Sequence, residues 1–137
     1  MIGLALWLAG LGHFALLAAS AQIPGRLDWR RELPRLSAAN RKLFLVATGY
    51  IVLTYLSFGV LTLVLHDELV RGERAAVALA LFIGGYWLVR LVLDFTWFGH
   101  GEWPPGRRFV LAHVGLELLF GYLTVTYLGV AIWHQLR

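Results

Sequence analysis

The chain has 137 residues, 59% of them hydrophobic and 15% Asp, Glu, Lys or Arg, with a formal net charge of +4. Its mean hydropathy of +0.70, and a charged fraction well under the ~25% of soluble domains, exclude an ordinary soluble fold and a disordered chain. With no cysteine, a disulfide framework and a thiolate-held metal are excluded as well.

Four stretches are apolar and long enough, at about 1.5 Å per residue, to cross a hydrocarbon layer of about 30 Å. They are residues 2–21, 43–65, 75–98 and 109–133. Short polar connections force successive spans to run in opposite directions, and the alternating ten-residue strands of a membrane barrel are missing. The expected fold class is an all-α membrane protein, a four-transmembrane-helix antiparallel bundle, with residues 1–137 as a single integral membrane domain.

The first span ends in Ala19-Ser20-Ala21, which has the small residues of a signal cleavage site. No Lys or Arg precedes the apolar run, and the run approaches a full span, so a retained helix is expected. The first connection interleaves Leu27, Trp29, Leu33 and Leu36 with Arg30, Arg31, Glu32 and Arg35. Pro24 and Pro34 disfavour helix at the residues before them, which predicts a broken short helix lying at headgroup level. Such a segment is a surface anchor or, more specifically, a docking surface for anionic lipid or a partner protein. Ser37 is placed to cap the second span. In the second connection, His66-Asp67-Glu68 has residues that bind cations, but with no well-spaced third ligand it reads as a solvated helix end. Trp103-Pro104-Pro105-Gly106 in the third connection reads as an aromatic anchor and rigid turn, while His100 has no partner that spacing identifies.

Basic residues set the orientation. Arg26, Arg30, Arg31, Arg35, Arg41 and Lys42 lie in the first connection and Arg107 and Arg108 in the third, whereas Arg71, Arg74 and Arg137 lie on the opposite side. The positive-inside rule then makes the first and third connections cytoplasmic and puts both termini on the outer side of a bacterial-type inner (plasma) membrane. The pI near 10 reflects this topology and anionic lipid headgroups, since no stacking platform or nucleic-acid fold accompanies the charge. The lipid bilayer is the expected partner, nucleic acid is not, and a homo-oligomer or a larger membrane complex is compatible with the chain.

The spans are interrupted by His13 in the first, Arg90 and Asp94 in the third, and His113 and Glu117 in the fourth. A charged side chain near a span centre costs ~2.5–3.5 kcal/mol on insertion scales. Arg90/Asp94 and His113/Glu117 are both i, i+4 pairs, so each projects from one helix face. Counting from the cytoplasmic ends puts Asp94 and His113 ~6 Å deep, and His13, Arg90 and Glu117 ~12 Å deep. Tyr50 and Thr54 fall near the same zone, with Ser20 and Gln22 at its mouth. One cation against two carboxylates leaves a proton to be shared within the cluster, a coupled system.

The expected function is an inner-leaflet polar pocket that binds or processes a small anionic or amphiphilic ligand. In it His113 and Glu117 are the acid/base pair, Arg90 holds the anionic headgroup, His13 or Tyr50 orients the ligand, and Asp94 is a further ligand-binding residue. Alternatives are haem-binding electron transfer with His13 and His113 as axial ligands, an accessory subunit of a larger complex, and proton-coupled transport. Whether the protein is an enzyme is left open by the residues alone. Gly10, Gly12, Gly59, Gly84, Gly85, Gly115 and Gly121 are expected to allow close helix approach, and Ser57 and Thr62 to bond back to their own helix.

Overall fold

The computed structural model describes residues 2–96 and 107–136, with the side chains of Arg26, Arg108 and Phe109 excepted. The proposed aromatic turn at Trp103-Pro104-Pro105-Gly106, His100 and the last two residues of the third apolar stretch lie outside the described residues. Among those described the chain is all-helical: α1 (Ile2–Ser20), α2 (Ile23–Arg26), α3 (Trp29–Glu32), a 3-10 turn (Leu33–Arg35), α4 (Ala38–Val64), α5 (His66–Arg71), α6 (Arg74–Thr96) and α7 (Arg107–Leu136). Four of these, α1 with its extension to Gly25, α4, α6 and α7, are long and apolar enough to cross a membrane.

Local chemistry explains most boundaries. Pro24 lies in the first turn of α2 and Pro34 in the 3-10 turn, so the residues before them, Ile23 and Leu33, are helical against expectation, a proline in a first turn needing no amide donor. The turn between α2 and α3 falls instead at Leu27-Asp28, with Asp28 at φ 55°. Ser37 caps α4, its hydroxyl accepting from the Asn40 amide at 3.3 Å. The helix begins five residues ahead of the apolar stretch, because Asn40, Arg41 and Lys42 need only helical backbone, not burial. Gly72, at φ 77°, ends α5 in the left-handed conformation that glycine adopts without strain. A Cβ there would also run into the His134 ring.

Packing contacts fix how the long helices meet. Along α1, Gly3 meets His66, Gly10 meets Leu63 and His13 meets Gly59, so contacts ascend one helix as they descend the other. The same opposed order holds for α6 and α7, from Gly84 against Leu128 through Trp87 on Phe120 to Asp94 beside His113. The core between them is formed by Leu6, Leu16, Ile83, Trp87, Leu123 and Tyr127, all buried. The buried hydroxyls of Thr62 and Tyr127 meet each other: Thr62 donates to the Phe58 carbonyl at 2.7 Å, which leaves its oxygen to accept from Tyr127 Oη at 2.6 Å. Ser57 likewise bonds back to Leu53. At the end opposite the first connection, His66 Nε2 lies 2.8 Å from the Gly3 carbonyl under a stacked Trp7, and His134 Nε2 lies 3.1 Å from the Leu69 carbonyl.

Only some of the expected glycine contacts are present. Gly10, Gly12, Gly59 and Gly84 each sit where an added Cβ would press on a neighbouring helix, whereas Gly85, Gly115 and Gly121 have nothing within 4 Å of that position. The pair Gly84 and Gly85 therefore makes a test. Gly84→Leu, which would push against the Leu128 side chain and backbone, is expected to destabilise by about 1–3 kcal/mol. Gly85→Leu is expected to leave the thermal midpoint in detergent within error, and equal effects would contradict this packing.

A candidate polar site between α6 and α7

The i, i+4 spacing on each helix does what it predicts, and the opposed course of α6 and α7 brings the two pairs together. Asp94, 2% exposed, lies 3.8 Å from Arg90 (Nη1 to Oδ1) and 3.5 Å from His113 (Oδ2 to Nε2). The same His113 Nε2 is 3.0 Å from Glu117 Oε1. One imidazole nitrogen thus stands between two carboxylates. Arg90 also lies over the Phe120 ring, 5.3 Å from its centroid, so this cation is held by a carboxylate on one side and an aromatic face on the other.

His13 belongs to a different environment. Fully buried, it accepts a hydrogen bond from Trp87 Nε1 at 2.9 Å on Nε2, which puts its proton on Nδ1, 2.9 Å from the Ala9 carbonyl. Phe58, Trp87 and Tyr127 surround the ring. Trp87 precedes Asp94 by seven residues, a rise of ~10 Å along α6, so His13 stands away from the level of Asp94 and His113. The depth count that put all five groups in one zone ignored helix tilt and the face that each residue takes. Axial ligation of haem by His13 also does not fit, because the lone pair it would need is taken by the Trp87 indole.

Tyr50 is 65% exposed on α4, and among the described residues no side-chain contact of its own brings it to the site. Thr54 uses its hydroxyl on the Tyr50 carbonyl. Both were placed by depth alone, and depth carries no information about helix face.

Among the described residues, the members of the cluster open onto different recesses. A cleft of about 420 Å³ lies between α1, α2 and α7, and His113 shares its wall with Ala15, Ala19, Gln22, Leu116 and Leu119. Glu117 lines a groove between α6 and α7 with Phe95, Leu118 and Tyr122. Arg90 opens instead toward a groove along α6 with Tyr86, Val89 and Leu93. The three uncontacted glycines are found here, Gly115 in the cleft, Gly121 in the second groove and Gly85 in the third. Their missing side chains leave space rather than bring helices together.

The depth count put Asp94, His113 and Glu117 in one zone, and in the structure these three do stand together. It gives no sign that Trp87 would be the partner of His13, because an indole within an apolar run is indistinguishable from core. No protein family, curated protein or solved structure matches the chain.

The indole-to-imidazole bond is separable from the aromatic packing. Trp87→Phe keeps a ring against Phe120 but strands the buried His13 Nε2, with an expected loss of about 1–3 kcal/mol from the unfulfilled acceptor. In a His13→Leu background most of that loss should disappear, and additive effects in the double mutant would contradict the bond's contribution.

Proposed function

We propose that the chain is a multi-pass integral membrane protein whose four long helices form an antiparallel bundle, and that its α1/α7 cleft binds a small amphiphilic ligand with an anionic head. Helix length and apolarity support the insertion, and the opposed contact order of α1 with α4 and of α6 with α7 supports the bundle. Large exposed apolar side chains along α4, among them Leu43, Val46, Leu53 and Val64, suit contact with acyl chains rather than water. The positive-inside rule orients the cleft's mouth toward the cytoplasmic leaflet, with both termini outside.

One observation carries the ligand reading: His113, held between two carboxylates, is also part of the wall of an otherwise mostly apolar cleft. A volume near 420 Å³ falls within the ~300–1,000 Å³ of small-molecule sites, which pair an apolar lining with a few placed polar groups. A tail would lie along Ala15, Leu116 and Leu119 and a head would emerge near Gln22. Exposed Arg30, Arg31 and Arg35 of the first connection and Arg107 at the start of α7 supply positive charge on that side. Arg107 precedes His113 by six residues, a rise of ~9 Å. Arg90 faces a different groove and balances Asp94, so the head is recognised by the rim cations rather than by Arg90. His113 with Glu117 supplies the acid/base pair should the bound ligand be processed, and any larger assembly would leave this cleft's chemistry unchanged.

Filling the cleft tests the reading. With a fluorescent single-chain carboxylate amphiphile as probe, Ala15→Trp is expected to weaken binding at least about tenfold, equivalent to ~1.4 kcal/mol. Val64→Trp, on an exposed position far along α4, should bind as the unmodified protein does. Undiminished binding by Ala15→Trp rejects the cleft, and equal binding of a probe with the same tail and an ammonium head rejects the anionic-head assignment.

A further inference from the structure

The geometry points to a binding site for a divalent first-row transition-metal ion formed by Asp94, His113 and Glu117. One ligand atom from each side chain lies within 4.8 Å of the other two, across α6 and α7. Around a four-coordinate ion with bonds of ~2.0–2.1 Å, ligand atoms stand ~3.3 Å apart. Two of the three separations, 3.0 Å from His113 to Glu117 and 3.5 Å from His113 to Asp94, already bracket that value. The third, between the carboxylates, lies within the 4.8 Å that encloses all three ligand atoms.

A second observation points the same way. Asp94 Oδ2, on a side chain only 2% exposed, has no hydrogen-bond partner among the described residues and faces the imidazole. Arg90 approaches the other oxygen, Oδ1, so the guanidinium steadies the carboxylate from the side away from the ligand atom. One imidazole nitrogen with two carboxylate oxygens suits zinc and its neighbours better than magnesium or calcium, which prefer oxygen throughout. Three protein ligands leave a position for an exchangeable fourth, reached from the cleft beside His113 or the groove beside Glu117.

Charge favours the same arrangement with one addition. Two carboxylates and Arg90 sum to one negative charge, which a divalent ion converts to one positive. A single anionic ligand on the open position restores neutrality, as a low-dielectric site requires. This ion site needs only the three side chains and stands whether or not the cleft takes an amphiphile.

The test is titration of the full-length protein, chelator-treated and in detergent, with Co²⁺ followed by its visible ligand-field absorption and then with competing Zn²⁺. One saturable Co²⁺ per chain is expected, displaced by Zn²⁺. Asp94→Asn, His113→Ala and Glu117→Gln should each weaken it by more than about tenfold. His134→Gln, which removes an imidazole at the other end of α7, should retain the spectrum. Should a variant lose its helical signal, the wild-type titration still decides. Helical, monodisperse wild-type protein with no saturable Co²⁺ absorption, or absorption that survives all three substitutions, overturns the site.

Discussion

A carboxylate withdrawn from water must find compensating charge or hydrogen bonds, and Asp94 is where that requirement meets the helix packing. It is the most buried of the acidic groups in the α6/α7 cluster, and its compensation comes from both helices, Arg90 on its own and His113 on the next. Slippage of α7 by one residue would rotate His113 and Glu117 by about 100° away from it. Register between α6 and α7 is thus specified by charge at one end and by Gly84 against Leu128 at the other. Apolar side chains alone tolerate small slips far better, because one leucine contact resembles the next.

How much of this could be read from the sequence follows from what kind of rule each feature obeys. The four long apolar helices and the cap at Ser37 depend on chain neighbours only, and they appear in the sequence as in the structure. The same is true of the two i, i+4 pairs. Tyr50 and His13 were less legible because their expected place rested on depth, one coordinate of three. Rotation about the helix axis and tilt put Tyr50 on an exposed face and His13 among aromatic rings. The meeting of Asp94 with the His113/Glu117 pair needed the mutual rotation of two helices, which neither helix's own pattern contains.

His13 and His113 illustrate how surroundings divide one residue type between roles. His13 has both ring nitrogens committed to protein groups, so its polarity is spent on joining α1 to α6 through Trp87. Trp87 in turn stacks on Phe120 at 5.2 Å, and Phe120 carries Arg90 on its face, so the position of the buried imidazole and that of the cation share one aromatic pair. His113 differs. Its neighbours are ionisable, and its wall is open to a cleft. A substitution at His13 is therefore read first as a change in packing, and one at His113 as a change in site charge.

Charge arithmetic also limits which ligands the cluster admits. Two carboxylates against the one guanidinium of Arg90 leave the site short of one positive charge. An anion entering it would add to that deficit, at a desolvation cost that an apolar cleft makes large. The proposed amphiphile avoids this by leaving its head at the basic rim and admitting only its tail. The proposed metal ion changes the sum: a divalent cation turns the deficit into one positive charge, and an anionic head can be drawn inward. Headgroup depth and ion occupancy are then linked by electrostatics alone, and Arg90, fixed on Asp94 and Phe120, sets the offset from which both are counted.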